Sequence, residues 1–570
     1  MRGMLPSWRA KMKNILWLLL VVLLASCGGG DTVAPIQSLT PSLMVDCAGL
    51  NCSASKVNVF SGTGIGIWKY QNSTDSDRLV DIDIGGIPAG SKVTLVFSNG
   101  SQSAASSLPA AGTLGGRGAW RAEPSLAPEA AQLSALDRSQ QQRQAAGDAF
   151  HASMLEENAK AATLLRRLQR SAAVPQRKQA AAAAQGPASP ALGTMRDWID
   201  LTQEGAPVYA TTAQAVCPVG NGRNAVIWVD PNAQLGGLVT ADNISALVST
   251  FCGEDSGSAR VTALLGDYWG PNNYPSDLIS DSPLQDVNIA VVDAPDATPW
   301  AGYYASINNI RRTVDPAFAK SNEALVFFIK ASQLHLNEKY IQSSLLHEAT
   351  HMLNFYQQAI VRDITFSDWL NETSAMMTED IVVPSVVRNA DGTGYNAIAK
   401  YRVPRYIASG GAVSYIDWSY GNYDMGGAFG AYLNRRFGLS IYRQIVTDCA
   451  VGSTSYECLD ALIKANDGLG FADEFAHFGA SVFGLLPATG SPAKYGFPAR
   501  TDQGYALMPM DASAYAAKRP ATAKALDAGY TATTQTYSVD TLLPSKERHV
   551  KYVRSGVRVP AQTTLLVVVR

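Results

Sequence analysis

Short runs of alternating apolar and polar residues fill the first part of the chain after residue 41. Residues 78–84 and 92–97 are two such runs, and Gly and Asn turns separate them. An alternation with a period of two residues is typical of strands that bury one face. We therefore expect a small β-sandwich-like domain over residues 42–115.

Residues 116–195 differ in composition. They are rich in Ala and Gln and contain an unbroken alanine run at 180–184. Residues 150–168 can form an amphipathic helix, and the rest is typical of a linker. We interpret the segment as a linker or helical segment, and a propeptide that is removed by proteolysis stays an open alternative.

From residue 196 the pattern becomes mixed. Residues 224–230 and 286–293 read as strands, whereas the apolar runs after residue 440 have helical spacing. This predicts an α+β domain with a helical lower lobe over residues 196–500. Strand-like runs return near the end, so residues 501–570 are expected to form a C-terminal β-rich element, packed on the preceding lobe or forming its own module.

Residues 341–356 combine a buried helical pattern with candidate chemistry. They contain His347, Glu348 and His351, a His-Glu-x-x-His signature. An interval of four residues stacks the two imidazoles on one helical face, where they can supply two ligands to a zinc ion that keeps a position open for water. Glu348 then lies beside this zinc-activated water as the candidate general base. The motif can occur by chance, but buried histidines need partners, which a metal supplies.

A second helical run, residues 369–380, offers a third ligand. Glu372 lies 21 positions after His351, which is enough chain for a loop to turn back and lay this helix across the first. Glu379 follows two helical turns later on the same face, where a carboxylate that orients a ligand histidine would lie. The predicted metal ligands are His347, His351 and Glu372.

His-Glu-x-x-His followed by Trp-Leu-Asn-Glu and a further glutamate resembles the gluzincin metalloproteases, and most closely the hyicolysin-like peptidase family, over residues 322–438. The resemblance implies a zincin-like catalytic domain, a zinc cofactor and Glu348 as general base. The metzincin pattern does not fit, because Asn354 and Gln357 stand where it requires a glycine and a third histidine. In such enzymes the edge strand of the sheet pairs with an extended peptide, and residues 322–331 are the candidate strand.

Two further elements resemble known zinc peptidase motifs. Asp417 begins an Asp-x-x-Tyr-Gly element like the one from which aspzincins take their third ligand, but it lies 66 positions after His351, and Glu372 is preferred. Tyr423 begins a Tyr-x-x-Gly element similar to that of aminopeptidase-type gluzincins, in which the tyrosine binds the oxyanion. We assign this role to Tyr423. Tyr420 is the alternative, and packing of both tyrosines against the following helix is another.

The amino terminus indicates export. Basic residues precede an apolar run at 15–24 that is too short for an ordinary membrane span. The run ends in Leu-Ala-Ser-Cys27, which resembles a bacterial lipobox. We expect a lipoprotein signal peptide at 1–26, a tether at 27–41, and a protein attached to the outer membrane or cell surface through lipidated Cys27, with later release left open. A plain secretory signal is the alternative.

Cysteine use agrees with an oxidising compartment. Of seven cysteines, six remain after Cys27, and no Cys-x-x-Cys motif suggests metal binding. Six cysteines allow many connectivities, so nearest-neighbour pairing is a hypothesis. It joins Cys47 with Cys52, Cys217 with Cys252, and Cys449 with Cys458.

Charge and composition narrow the function further. The formal net charge is −2, and removal of residues 1–26 takes away four basic residues and leaves −6. This mild acidity does not indicate nucleic acid as a partner. The sequence therefore predicts a surface- or periplasm-exposed zinc endopeptidase that acts on protein or peptide substrates. The alternatives are a non-proteolytic surface binding lipoprotein on the same fold and an aminopeptidase, although the Gly-x-Met-Glu-Asn element of the latter is absent.

Overall fold

The computed structural model describes residues 42–102, 189–521 and 532–570, except Pro283, Ala412, residues 418–421 and Ser545, together with seven residues between 150 and 167. The expected signal peptide, the tether and Cys27 lie outside the described residues, and so does Tyr420. Within the described part of the chain, no helix is long and apolar enough to cross a membrane.

The regular elements are numbered in chain order. The described strands are β1 (Met44–Val45), β2 (Ala54–Lys56), β3 (Val59–Phe60), β4 (Gly66–Asn72), β5 (Arg78–Pro88), β6 (Lys92–Asn99), β7 (Met195–Ile199), β8 (Val208–Gly220), β9 (Arg223–Val229), β10 (Val287–Val292), β11 (Gly302–Tyr304), β12 (Leu325–Lys330), β13 (Arg500–Asp502), β14 (Tyr505–Leu507), β15 (Gln535–Thr541), β16 (His549–Val559) and β17 (Thr563–Val569). The α-helices bounded within the described residues are α1 (Pro231–Leu235), α2 (Ala241–Phe251), α3 (Gly257–Leu265), α4 (Ala331–Leu336), α5 (Glu338–Asn354), α6 (Asp368–Ile381), α7 (Val383–Val386), α8 (Val403–Ser409), α9 (Asn422–Phe437), α10 (Leu439–Thr447), α11 (Ser455–Ala465) and α12 (Phe471–Phe483).

Two packed sheets form the N-terminal β region, and they also contain the last strands of the chain. One sheet has the order β1-β4-β17-β6-β15 and the other β16-β5-β3-β2. The sequence pattern predicts that residues 42–115 and 501–570 form separate elements. In the structure, β17 lies between β4 and β6 and pairs with both. All seven residues of β17 are buried, as is typical of a central strand covered on both faces. The last three strands of the expected C-terminal β element therefore complete the N-terminal sheets, whereas β13 and β14 pair with each other in a separate sheet.

A six-stranded mixed sheet begins the second region, with the order β11-β12-β10-β9-β8-β7. Strand β12 corresponds to the strand predicted at 322–331, but it is not the edge strand. It pairs with β10 on one side and with β11 on the other. Residues 302–304 form the short strand β11, which pairs antiparallel with β12 at the end of the sheet. Strand β11 is therefore the edge that an extended peptide could reach.

Helices follow this sheet, as the apolar spacing predicts. The runs after residue 440 form α10, α11 and α12, and the fold is mixed α/β. Helix α6 packs against both α5 and α9. The approach to α9 is close: a Cβ atom on Gly430 would lie 2.9 Å from the Met377 side chain. A hydrogen bond of 2.8 Å between the hydroxyls of Thr350 and Thr378 joins α5 to α6. These three helices carry the candidate functional residues.

The three disulfides follow the nearest-neighbour hypothesis, which the structure confirms. They join Cys47 to Cys52, Cys217 to Cys252, and Cys449 to Cys458, with Cα–Cα distances of 5.5, 5.8 and 5.3 Å. The second of them ties the end of α2 to strand β8, on the sheet that supports α5.

Polar contacts connect the β-sheets of the first region to helix α12. The Lys69 ammonium lies 2.7 Å from the Asp473 carboxylate, and Nε2 of His477 lies 3.0 Å from the Asp46 carboxylate. His477 is fully buried and also contacts Glu474. The two regions therefore share a buried network of charged groups.

Candidate metal centre

Helix α5 places the two predicted histidine ligands side by side. Its apolar residues Ile341, Leu345 and Leu353 are completely buried, which fixes the helix between its neighbours. His347 and His351 project from consecutive turns, and their Nε2 atoms lie 3.1 Å apart. The His-Glu-x-x-His spacing therefore produces two imidazoles that face the same point.

Helix α6 brings the predicted third ligand to this point. The Glu372 carboxylate oxygen Oε2 lies 3.1 Å from Nε2 of His347 and 3.4 Å from Nε2 of His351. Donor atoms of all three residues lie within 4.8 Å of one another, which makes them a possible metal-binding group within the described residues. Glu372 is 4% exposed, so its carboxylate is buried.

The other ring nitrogens of the histidines face hydrogen-bond acceptors. Nδ1 of His347 lies 2.9 Å from Glu379 Oε1, and the Ser343 hydroxyl donates to the other oxygen of this carboxylate at 2.7 Å. Nδ1 of His351 lies 3.3 Å from the side-chain oxygen of Asn371. Acceptors at both Nδ1 atoms favour protonation there, which leaves the Nε2 lone pairs free to bind a metal.

The charges of this cluster also fit a metal ion. Burial alone would lower the pKa of His347, but the carboxylates of Glu372 and Glu379 raise it to about 10. The two carboxylates, Glu379 at Nδ1 and Glu372 at Nε2, thus stabilise a positive charge at this ring, which a metal ion at Nε2 would supply in place of a proton. Two imidazole nitrogens and one carboxylate form a donor set that metal ions take at catalytic sites with an open coordination position.

Glu348 lies beside this cluster and next to the edge strand β11. Its side chain is 8% exposed, and burial raises the pKa of its carboxyl group above the usual value, although His347 and His351 oppose the shift. The backbone N–H of Tyr304 donates a hydrogen bond to this carboxylate. A Cβ atom on Gly302 would lie 3.7 Å from Glu348 Cγ. Strand β11 and the candidate base are therefore adjacent.

Tyr423 also reaches the cluster, from the first turn of α9. It is 4% exposed, and its hydroxyl is hydrogen-bonded to Glu372. Burial and the Glu372 charge raise the pKa of Tyr423 well above its usual value, so the phenol keeps its proton. The guanidinium of Arg402 lies 5.4 Å from the centre of the Tyr423 ring and pairs with Asp424 at 3.3 Å.

The structure describes Asp417, the alternative third ligand, but not Tyr420, the alternative oxyanion donor. Asp417 is exposed and does not belong to the metal-binding group found among the described residues. Tyr420 lies in 418–421, outside the described residues, so its place stays a prediction.

Several residues around the site were not predicted from the sequence. Arg402 lies on a π-helical turn, Ile398–Arg402, that carries no recognisable motif. Asp380 pairs with Arg435 at 2.6 Å, and both side chains are almost fully buried. The adjacency of Glu379 and Asp380 in α6 was a usable signal, because two neighbouring carboxylates in an apolar helix both need partners.

Comparison with known proteins shows the family to which the chain belongs. The sequence profile of the Peptidase M30 family matches residues 207–570, and the chain belongs to this family. Residues 46–111 match a domain of unknown function, DUF8571. The chain is also similar to the neutral metalloprotease ShpI of Staphylococcus hyicus, with 27% identity over 253 residues, which cover 42% of this chain and 51% of that protein. The chain thus matches about half the length of this relative, and the hyicolysin-like resemblance is confirmed.

Proposed function

We propose that the protein is a zinc-dependent endopeptidase of the gluzincin type. One observation carries the proposal: His347, His351 and Glu372 converge on one point, with Glu348 beside them and the sheet edge above. Donors of this type at a partly open position favour zinc over the hard cations that prefer oxygen ligands. A zinc ion held there would polarise the scissile carbonyl and lower the pKa of a water molecule toward neutrality.

Glu348 is the proposed general base. The pKa of its carboxyl group is raised toward neutral pH, and a general base exchanges protons most effectively when its pKa lies near the pH of the reaction. Glu348 takes a proton from the attacking water and returns it to the leaving amine. Tyr423 is the proposed oxyanion donor, because its buried, protonated hydroxyl is held at Glu372, at the metal-binding group.

Strand β11 is the proposed binding edge for the substrate. It pairs with β12 on one side only, and it ends next to Glu348. A peptide that adds to this edge binds through main-chain hydrogen bonds, which place few demands on its sequence. Such binding suits an endopeptidase, which cleaves a bond inside an extended segment of a protein or peptide substrate.

The proposed location is the bacterial cell envelope. The apolar run at 15–24 and the lipobox-like sequence before Cys27 support export and lipidation. The three disulfides support an oxidising compartment. The catalytic domain would then act outside the cytoplasm, attached through the lipid on Cys27.

The test combines metal analysis with digestion of casein by the purified protein. We expect about one zinc per chain and EDTA-sensitive cleavage in the wild type. His347→Ala should lose the metal, whereas Glu348→Gln should keep it and lose cleavage by several orders of magnitude. A metal-loaded wild type that cleaves no peptide would instead support the non-proteolytic binding protein. Release of single N-terminal residues alone would support an aminopeptidase.

A further inference from the structure

A pocket lies beside His351 of the metal centre. Its walls come from the end of α5, the first turn of α6, the loop between these two helices and the residues that follow β11. Tyr304, the last residue of the edge strand β11, also lines the pocket. The pocket therefore adjoins both a predicted metal ligand and the proposed substrate edge, and a substrate side chain next to the cleaved bond can enter it.

Asn158 lines the same pocket but comes from a distant part of the sequence. It belongs to residues 150–167, where the sequence pattern predicts an amphipathic helix, and the seven described residues of this segment are helical. The segment precedes the region that the Peptidase M30 profile matches, which begins at residue 207. One wall of the pocket therefore comes from outside the matched region.

The segment 150–167 is packed against the edge of the mixed sheet. Its four described apolar residues are at most 7% exposed and belong to the same hydrophobic core as β12 and α5: Phe150, Met154, Ala161 and Leu164. The Phe150 ring meets the ring of Tyr303, on β11, edge to face, with 6.0 Å between the ring centroids. Thr163, by contrast, is exposed. Burial of this apolar face holds the segment on the catalytic domain.

The Asn158 side chain fixes the main chain just after β11. Its oxygen Oδ1 accepts hydrogen bonds from the backbone N–H of Ser306 at 3.0 Å and from the Ser306 hydroxyl at 2.7 Å. Ser306 begins the 3₁₀-helical turn Ser306–Asn309, and the preceding residue Ala305 makes no side-chain cap. The first N–H groups of a helix have no partner inside the helix, so Asn158 supplies an acceptor that the turn itself lacks.

Ser306 lies two residues after a main-chain contact of the candidate base. The backbone N–H of Tyr304 donates to the Glu348 carboxylate, and Tyr304 is also paired with Phe327 of β12. Pairing with β12 restrains β11 itself, whereas the two bonds from Ser306 to Asn158 restrain the chain where it leaves β11. Asn158 therefore helps to hold the proposed substrate edge at a fixed position beside Glu348.

We propose that residues 150–167 are part of the substrate-binding site of the active enzyme and that Asn158 is a positioning residue for the edge strand β11. The inference rests on the proposed peptidase function. It also chooses between the two interpretations of this segment, because a propeptide would be removed from the active enzyme. Removal would expose the apolar face of the segment and its contact surface, and it would take away the acceptor for both donors of Ser306.

The first test compares Asn158→Leu and Asn158→Asp in the zinc-loaded, full-length protein. In Asn158→Leu, which lacks the acceptor, KM for a defined peptide should rise about tenfold with kcat within about twofold, because binding along β11 is equally strong in the ground state and the transition state. Asn158→Asp keeps an oxygen that can accept both bonds and should bring KM back to within about threefold of the wild type. Thr163→Ala, at the exposed position of the same segment, is the matched control and should keep both constants.

Zinc content and thermal unfolding check that each variant is folded and loaded. An unchanged KM in Asn158→Leu would overturn the positioning role, and so would a rise in KM that Asn158→Asp does not reverse. A higher kcat/KM in Asn158→Leu would identify an inhibitory propeptide and overturn the proposal as a whole. Calorimetric titration of Glu348→Gln with the same peptide, with and without Asn158→Leu, should show the same difference of about tenfold in affinity without turnover. A zinc-loaded wild type that cleaves no peptide would overturn the peptidase function itself.

The second test leaves Asn158 in place and asks whether the segment stays on the active enzyme. Recognition sites for a sequence-specific protease, inserted between residues 116 and 149 and in the alanine run at 180–184, allow a fragment that contains residues 150–167 to be cut from both neighbours. We expect the fragment to co-elute with the rest of the chain in gel filtration and KM to match that of the uncut protein, because the apolar face of the fragment stays buried. Release of the fragment together with a gain in kcat/KM would overturn the proposal.

Discussion

Glu379 Oε1 lies 2.9 Å from Nδ1 of His347, on the side of the ring opposite the Nε2 atom that faces Glu372. The imidazole is therefore held between two carboxylates that α6 presents from positions two turns apart. One of them is placed to share a metal ion with the ring, and the other orients the ring and makes it a better donor.

Glu379→Gln should weaken zinc binding by about 10- to 100-fold without abolishing it, because the ligands remain while the orientation of His347 is lost. Competitive titration against a chelator of known affinity measures this change. Ser343→Ala, which removes only the hydroxyl that contacts Glu379, is the milder companion. Unchanged affinity in Glu379→Gln would mean that this contact does not tune the site.

Tyr423→Phe should lower kcat by roughly 10² to 10³ and leave KM and zinc content nearly unchanged, because the hydroxyl donates most strongly when charge develops on the oxyanion. Steady-state kinetics on a defined peptide gives both constants. Tyr415→Phe is a matched control, since this buried phenol contacts Thr373 on the same helix α6. A mild effect in Tyr423→Phe would leave Tyr420, or another donor, to fill the role.

Arg435→Met should destabilise the protein by about 3–5 kcal/mol, because it leaves the buried Asp380 carboxylate without its charged partner. The free energy of unfolding from urea titration measures the loss. Lys464→Met breaks an exposed pair with Asp460 and should change this free energy by less than about 1 kcal/mol. Similar effects of both changes would show that the buried pair does not anchor α6 to α9.

The His477 network should make stability depend on pH. Burial alone would lower the pKa of His477, but Asp46 and Glu474 raise it above its usual value. Its contribution is therefore complete below about pH 6.5 and is lost as the pH rises through the folded-state pKa. The pKa values of Asp46 and Glu474 are lowered despite burial, mainly by His477, so their contribution is lost as the pH falls below about 4. The other charged and titratable groups in the network include Lys69, Asp473, Tyr432, Arg436 and Tyr495.

The free energy of unfolding should accordingly fall as the pH rises above about 6.5 in the wild type, and His477→Asn should flatten this part of the curve. His549→Asn, at an exposed histidine, should retain the wild-type slope. An identical slope in His477→Asn and the wild type would show that the network does not titrate in this range.

Cys27→Ser should convert a membrane-associated protein into a soluble or unprocessed one, because a lipid on Cys27 is the proposed anchor. Detergent-phase partitioning of cell fractions measures the change. A membrane fraction that stays the same in Cys27→Ser would indicate another anchor.

Local spacing in the sequence was sufficient to predict which side chains share a helix face at the candidate site. His347 and His351 face one point because four residues make about one helical turn, and Glu372 and Glu379 share a face because seven residues make about two. The disulfides followed the same logic, since each cysteine pairs with its neighbour in sequence. Within each helix the helical period sets which side chains share a face, whereas the approach of Glu372 to His347 depends on the packing of α6 against α5.

Tertiary structure alone decided the features that join distant segments. The sequence does not show that β17 inserts between β4 and β6, that β11 replaces β12 at the sheet edge, or that Arg435 reaches Asp380. The pairing of a strand or a buried charge depends on which complementary surface is left open once the rest of the chain has folded. The spacing of residues in the sequence does not predict that surface, whereas the helical period does predict which side chains share a face of a helix.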